Sequence, residues 1–188
     1  MPGPVFLRGD RVELRTFEEA DLGLFDDVYA DPAVRQRMDV HTPHTRRQER
    51  EWLESLDESN VQLLVCPADD PERAVGLVNL FDLDGRAGTA EVGAALVPDA
   101  RGHGYATAAC GLVVAYAFDE RRLHRLRAQT LAVNESARAT LDRLGFTHEG
   151  TSREATLVGG ERVDRLHYGL LAREWREGRA GRTDATAE

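Results

Sequence analysis

Pro98-Asp99-Ala100-Arg101-Gly102-His103-Gly104 leads directly into Tyr105-Ala106-Thr107-Ala108-Ala109-Cys110 and on through an apolar run to Asp119. Gly102 and Gly104 carry no Cβ, so the chain can turn sharply there and bring its amides close to a ligand. The loop opens onto a helix start, where unpaired N–H groups and the helix dipole favour an anion. Arg101 adds formal positive charge. A phosphate or pyrophosphate is the natural guest; a plain turn punctuated by glycines is the competing reading. Two other nucleotide sites are excluded. A dinucleotide fingerprint wants glycine or alanine at position 107, where Thr107 stands, and a Walker-type loop needs a lysine, which the chain lacks.

The run behind the loop has hardly a polar face, so the helix predicted over Tyr105 to Asp119 is buried rather than amphipathic. Strands are predicted on either side of it, Thr89 to Val97 and Leu123 to Val133. A strand–loop–helix–strand crossover makes those two strands parallel. Farther upstream, Arg11 to Thr16 alternates as a strand, and Leu22, Phe25, Val28 and Tyr29 recur at helical spacing until Asp31-Pro32 ends the helix. Thr45 with Gln48 forms a capping box ahead of a second helix carrying Trp52, Leu53 and Leu56. Val61 to Cys66 and Ala74 to Phe81 read as a hairpin. Downstream, Asn134 starts a helix that Gly145 stops, and strands His148 to Val158 and Arg162 to Leu171 flank the Gly159-Gly160 turn. This order predicts an α/β fold: a central twisted, mostly antiparallel mixed sheet with helices on both faces. Residues 1–175 form one domain, and the polar segment 176–188 is expected to be a disordered tail.

The chain has 188 residues, 41% hydrophobic and 30% charged, which is globular composition. Its net charge is −9, which disfavours nonspecific binding of phosphate backbones. All basic residues are arginine, excluding Schiff-base chemistry and a lysine base. No apolar run reaches the ~20 residues that span a bilayer, and no signal segment is visible, so a cytoplasmic protein with no membrane or nucleic-acid partner is expected. Cys66 and Cys110 lie in apolar stretches and read as buried small residues rather than catalytic thiols. His41, His44, His124, His148 and His167 show no metal spacing, and no metal is expected.

A second segment, Asn134-Glu135-Ser136-Ala137-Arg138 through Leu141 to Arg143-Leu144-Gly145-Phe146, follows the loop at a set distance. Together with Glu91-Val92-Gly93-Ala94-Ala95-Leu96-Val97-Pro98 and the glycine loop, it resembles the GNAT family of acyl-CoA-dependent N-acyltransferases. Leu14-Arg15, Asp31-Pro32, Asp164 and Arg173-Glu174-Trp175 extend the likeness to its RimJ/RimL-type branch, over Gly9 to Trp175. The resemblance implies acetyl-CoA as donor, its pantetheine arm lying in a V-shaped gap between splayed parallel strands. Leu96 and Val97 would offer it main-chain hydrogen bonds. The amides of Arg101, Gly102, His103, Gly104, Tyr105 and Ala106 would hold the pyrophosphate, with Asn134 and Arg138 completing the cofactor contacts. His103 would contact the cofactor from the solvent side. Asp99 departs from the family, which often has Gln or Arg there, and should point outward.

Direct acyl transfer needs a neutral amine. At pH 7 deprotonation costs about 1.4 kcal/mol for an α-amine and roughly 4.6 for a lysine-type amine. Glu91, grouped by strand alternation with Gly93, Ala95 and Val97, is the candidate general base, and a surface-facing strand glutamate is the alternative. The family's frequent tyrosine and serine acids would match Leu141 and Ala137, so both are absent. Ser136, about 100° round the helix, Tyr168 or water remain as proton donors. The expected activity is N-acetylation of a primary amine, a protein α-amine or a small-molecule amine. A non-catalytic acyl-CoA binder and a transferase for a longer acyl donor such as succinyl-CoA are the rivals. The branch resemblance also implies a homodimer.

Overall fold

The computed structural model describes residues 2–29, 32–37 and 42–184. Strands β1 (Val5–Arg8) and β2 (Val12–Thr16) lead through a 3-10 turn to helices α1 (Gly23–Tyr29), α2 (Pro32–Arg37) and α3 (Arg46–Glu54). Strands β3 (Val61–Pro67), β4 (Gly76–Asp84) and β5 (Thr89–Leu96) follow, then α4 (Tyr105–Asp119), β6 (Arg125–Leu131) and α5 (Glu135–Leu144). The hairpin β7 (Thr147–Val158) and β8 (Glu161–Leu171) and helix α6 (Ala172–Asp184) complete the chain. The eight strands form one sheet in the order β1-β2-β3-β4-β5-β6-β8-β7. Every pairing is antiparallel except β5–β6, which is parallel. That is the arrangement the crossover through α4 requires.

Burial explains the centre. Leu63, Leu64, Val65, Cys66 and Pro67 of β3 are all buried in succession, so both faces of the sheet are covered there. Helix α4 runs over the span predicted for it and packs on β2, β3, β4 and β5, with Val113, Val114, Ala117 and Phe118 enclosed. Helix α3 opens with the expected box: Gln48 N–H donates to the Thr45 hydroxyl, while Gln48 Oε1 accepts from the Thr45 N–H at 2.9 Å. Asn134 caps α5, and Gly145, at φ +87°, ends it in the left-handed conformation that glycine tolerates.

Three features differ from the sequence expectation. Strand β1 is too short to show a period, and Val5 and Leu7 are joined to β2 across an irregular register. Pro32 opens α2 at its first residue, where a missing N–H is harmless; Asp31, like His41, lies outside the described residues. The segment after Trp175 is helical to Asp184 rather than a disordered tail. Arg176 and Arg179 both reach Asp119 at the end of α4, Arg176 also donates to the Phe118 carbonyl, and Trp175 is buried beneath.

Near the base of β6, Arg125 grips Glu149 of β7 with both guanidinium nitrogens, across the intervening β8. The carboxylate passes over Gly169, where a Cβ would meet Glu149 Oε1 at 2.4 Å, so a side chain there would displace it. The Arg125 hydrogen bond holds the Glu149 carboxyl below its ordinary range. A depressed acid contributes stability above its unfolded pKa and loses it as pH falls through the folded one. Glu149→Gln is therefore expected to lower stability by under about 1 kcal/mol at pH 7, the pair being partly exposed. The difference should vanish in acid below the carboxylate range; urea titrations at pH 7 and in acid check this, and an equal deficit at both contradicts it.

Candidate active site

β5 and β6 pair only at Thr89↔Arg125, Ala90↔Leu126 and Glu91↔Arg127. Beyond Glu91 the strands part, although β5 runs on to Leu96 and β6 to Leu131. Residues 92–96 thus leave about 16 Å of strand edge unpaired, at ~3.3 Å per residue. Main-chain groups alternate in direction along a strand. Gly88 turns its carbonyl to the His124 N–H at the start of β6, whereas the Val97 N–H goes to the Val75 carbonyl next to β4. Val92, Ala94 and Leu96 accordingly direct their N–H and C=O groups into the gap. The Leu96 carbonyl accepts from the Arg101 guanidinium at 3.1 Å, folding the start of the loop back onto the strand end.

The gap opens into a cleft of about 1020 Å³, walled by β5, β6, α4 and α5. At its open end lies the start of α4. Gly102 and Gly104 hold φ of +80° and +78°, and α4 has no side-chain cap, unlike α3 and α5. Its first N–H groups are therefore left for a guest, as the first turn of any helix leaves them. Arg11 braces the loop by donating to the His103 carbonyl at 2.8 Å. Asp99 turns outward, as its charge demands, and pairs with Arg73 at 2.6 Å.

Glu91 sits at the last paired position, where the V begins. It is 8% exposed, and Gln129 Nε2 donates to its Oε2 at 3.1 Å. The cleft wall includes Glu91, Leu96, Arg101, Gly102, Gly104, Tyr105, Ala106, Asn134 and Ser136. Three residues expected there are outside it. Val97 points its N–H at β4, as above. The carbonyl of His103 is held by Arg11 and its exposed ring stacks on Tyr105 at 5.6 Å. Arg138 lies about 100° beyond Ala137 on α5 and reaches back to the Ala132 carbonyl at 3.4 Å. Arg143, further along α5, lines the cleft instead.

Of the possible acids, Leu141 and Ala137 present only carbon to the cleft, and Tyr168 is buried against His148 outside its wall. Ser136 Oγ donates to Asn134 Oδ1 at 3.0 Å, and that oxygen also accepts from the Ala137 N–H. Neither cysteine is a nucleophile: burial pushes Cys110 up to about 12 and Cys66 up to about 11, so both remain thiols. Sequence reasoning missed Gln129, Asn79 and an aromatic wall of Phe25, Tyr29 and Trp52. Asn79 pairs with Gly93 and Gln129 stands two residues beyond the Arg127 partner of Glu91, so their convergence on one cleft is visible only from the sheet register. Phe25 stacks on Tyr29 at 5.7 Å and meets Trp52 edge-on at 5.2 Å. Burial, then the Glu49 carboxylate, raises the Tyr29 phenol.

A mixed sheet with one splayed parallel pair, and a glycine-bounded helix start at the mouth of the gap, defines a cleft suited to an extended ligand with an anionic end. Residues 11–147 match the family model described as Acetyltransferase (GNAT) domain. YjcK of Bacillus subtilis (strain 168), provisionally named an N-acetyltransferase, is 33% identical over 156 residues, 82% of this chain and 80% of that protein. YdaF of the same organism, provisionally named a ribosomal N-acetyltransferase, is 38% identical over 100 residues, 53% of this chain and 55% of its own length. The solved spermidine N-acetyltransferase of Vibrio cholerae, in complex with CoA and spermine, superposes with a TM-score of 0.81 at 20% identity, over 89% of this chain and 99% of that one. The chain belongs to the GNAT acetyltransferase family, and is an acyl-CoA-dependent acetyltransferase.

Gly104→Val places a β-branched residue at φ +78°, a strain of roughly 1–2 kcal/mol that the loop relieves by changing shape. Coenzyme A affinity measured by calorimetry is expected to fall about tenfold or more, with the melting transition retained. Unchanged affinity contradicts the loop assignment.

Proposed function

We propose that this protein transfers the acetyl group of acetyl-CoA to a primary amine by direct attack within a ternary complex. The observation that carries the reading is the position of Glu91, a nearly buried carboxylate at the apex where β5 and β6 part. Pantetheine lies along Val92, Ala94 and Leu96 as an added strand, and the pyrophosphate rests on the amides from Arg101 to Ala106. That threading brings the thioester toward Glu91. Asn134 Oδ1 is engaged in capping, so its Nδ2 is the group turned to the pantetheine.

Glu91 takes the proton of the attacking amine, directly or through a water. The amine nitrogen bonds to the thioester carbon, the C–S bond breaks, and an amide and a thiolate result. Water returns a proton to the thiolate, since Ser136 Oγ is directed at Asn134 and no hydroxyl stands at 137 or 141. Holding amine and thioester together supplies much of the rate, up to ~7–11 kcal/mol in ideal cases.

A protein N-terminal α-amine is the first acceptor, by the RimJ/RimL-type resemblance and the ribosomal name given to YdaF. It is also the easier amine to deprotonate near neutral pH. A polyamine-like acceptor is the second, supported by the Phe25, Tyr29 and Trp52 wall beside Glu49, which suits an alkylammonium, and by the spermine complex of the Vibrio cholerae neighbour. The same branch resemblance supports a homodimer.

Thiol release from acetyl-CoA across N-terminal peptides and polyamines tests the reading, with succinyl-CoA compared at fixed acceptor. Coenzyme A binding without turnover on any amine would make the protein a binder only. Glu91→Gln is expected to lower kcat about 10²-fold with coenzyme A affinity unchanged. A pH–rate profile identical to that of the unaltered protein removes Glu91 from the chemistry.

A further inference from the structure

Glu91 has one visible side-chain partner among the described residues: the amide of Gln129 on β6, 3.1 Å from Oε2. The two strands meet at Glu91↔Arg127 and then separate, so Gln129 stands two residues into the splayed part, on the same face. Its side chain bridges the widening gap that the backbones no longer close. Oε1 accepts no protein hydrogen bond among the described residues, and Glu91 is part of the cleft wall. The carboxylate is thus held by one oxygen, and the other is left to accept.

We propose that Gln129 is a positioning residue for the acetyl transfer: its amide anchors Glu91 by Oε2 and turns Oε1 toward the acceptor's proton. This rests on the reading of Glu91 as base. Gln129 touches neither reacting group and acts through Glu91. An aliphatic residue at 129 would remove the one side-chain hydrogen bond that holds the carboxylate among the described residues. Other ionisable groups border the site: Arg127 opposite Glu91, His167 opposite Gln129 on β8, and Glu49, His44 and Arg165 in the cleft wall.

The test uses Gln129→Met, which keeps length without the donor, and Gln129→Glu, which replaces the donor with a like charge. With acetyl-CoA and spermine or an N-terminal tripeptide, kcat should fall about tenfold in Gln129→Met, and further in Gln129→Glu, with KM for acetyl-CoA unchanged in both. In a Glu91→Gln background Gln129→Met should cost nothing more, because the carboxylate it positions is gone. Unchanged kcat in both single variants, or an equal tenfold loss in the Glu91→Gln background, overturns the proposal. If Glu91→Gln itself leaves kcat unchanged, the role of Glu91 as base fails, and the positioning role fails with it.

Discussion

Parallel strands that stop pairing leave main-chain donors and acceptors facing one another across empty space. In this protein β5 and β6 are joined for three registered pairs, then diverge while each stays bonded to its outer neighbour, β4 or β8. Unpaired N–H and C=O groups in a partly buried gap are unfavourable unless water or a ligand satisfies them. Everything else in the site answers to that opening. The all-apolar α4 forms one wall of the gap, α5 another, and the turn before α4 adds an uncapped helix start at the gap's mouth. An extended ligand with amides along its length and phosphates at one end complements both features at once.

The same divergence sets the position of Glu91, the proposed base. At the point of closure the sheet is still tight enough to bury a side chain, and one residue further the cleft is open to substrate. Glu91 occupies the boundary, so its carboxylate is nearly buried yet borders the cleft. Val92, Ala94 and Leu96 carry the ligand edge, and Phe25, Tyr29 and Trp52 from the first and third helices face it across the cleft. In the proposed reaction, binding and chemistry are thereby divided between main-chain groups, which are insensitive to side-chain identity, and a few side chains that are not. That division explains how the family architecture survives here without the tyrosine or serine that resemblance would place at Leu141 and Ala137.

Much of the fold could be read from the residues because the signals were local. The span Tyr105 to Asp119, the Thr45–Gln48 box, the Asn134 cap and the Gly145 stop each depend on a few adjacent side chains, and each lies where it was expected. Strand β1 and helix α6 were hidden because their order comes from distant partners, β2 in one case and Asp119 with Trp175 burial in the other. The site divides in the same way. Gly102, Gly104 and Glu91, singled out from spacing and strand alternation, all line the cleft. Which strand residues turn their amides into the gap was not legible in this way, because Val97 is excluded by a bond to Val75, a contact that only sheet register shows. Arg138 lies outside the cleft wall for a related reason: one residue's rotation on a helix separates the cleft from its outer side.

The central claim is that the unpaired edge of β5 and the uncapped start of α4 become hydrogen-bonded when coenzyme A binds. Residue-resolved amide hydrogen exchange with and without saturating coenzyme A measures this directly. Slowed exchange at Val92, Ala94, Leu96 and the amides from Gly104 to Ala106, with Val97 unaffected by the ligand, is the predicted result. Saturated binding that leaves those amides exchanging at their ligand-free rates would contradict it.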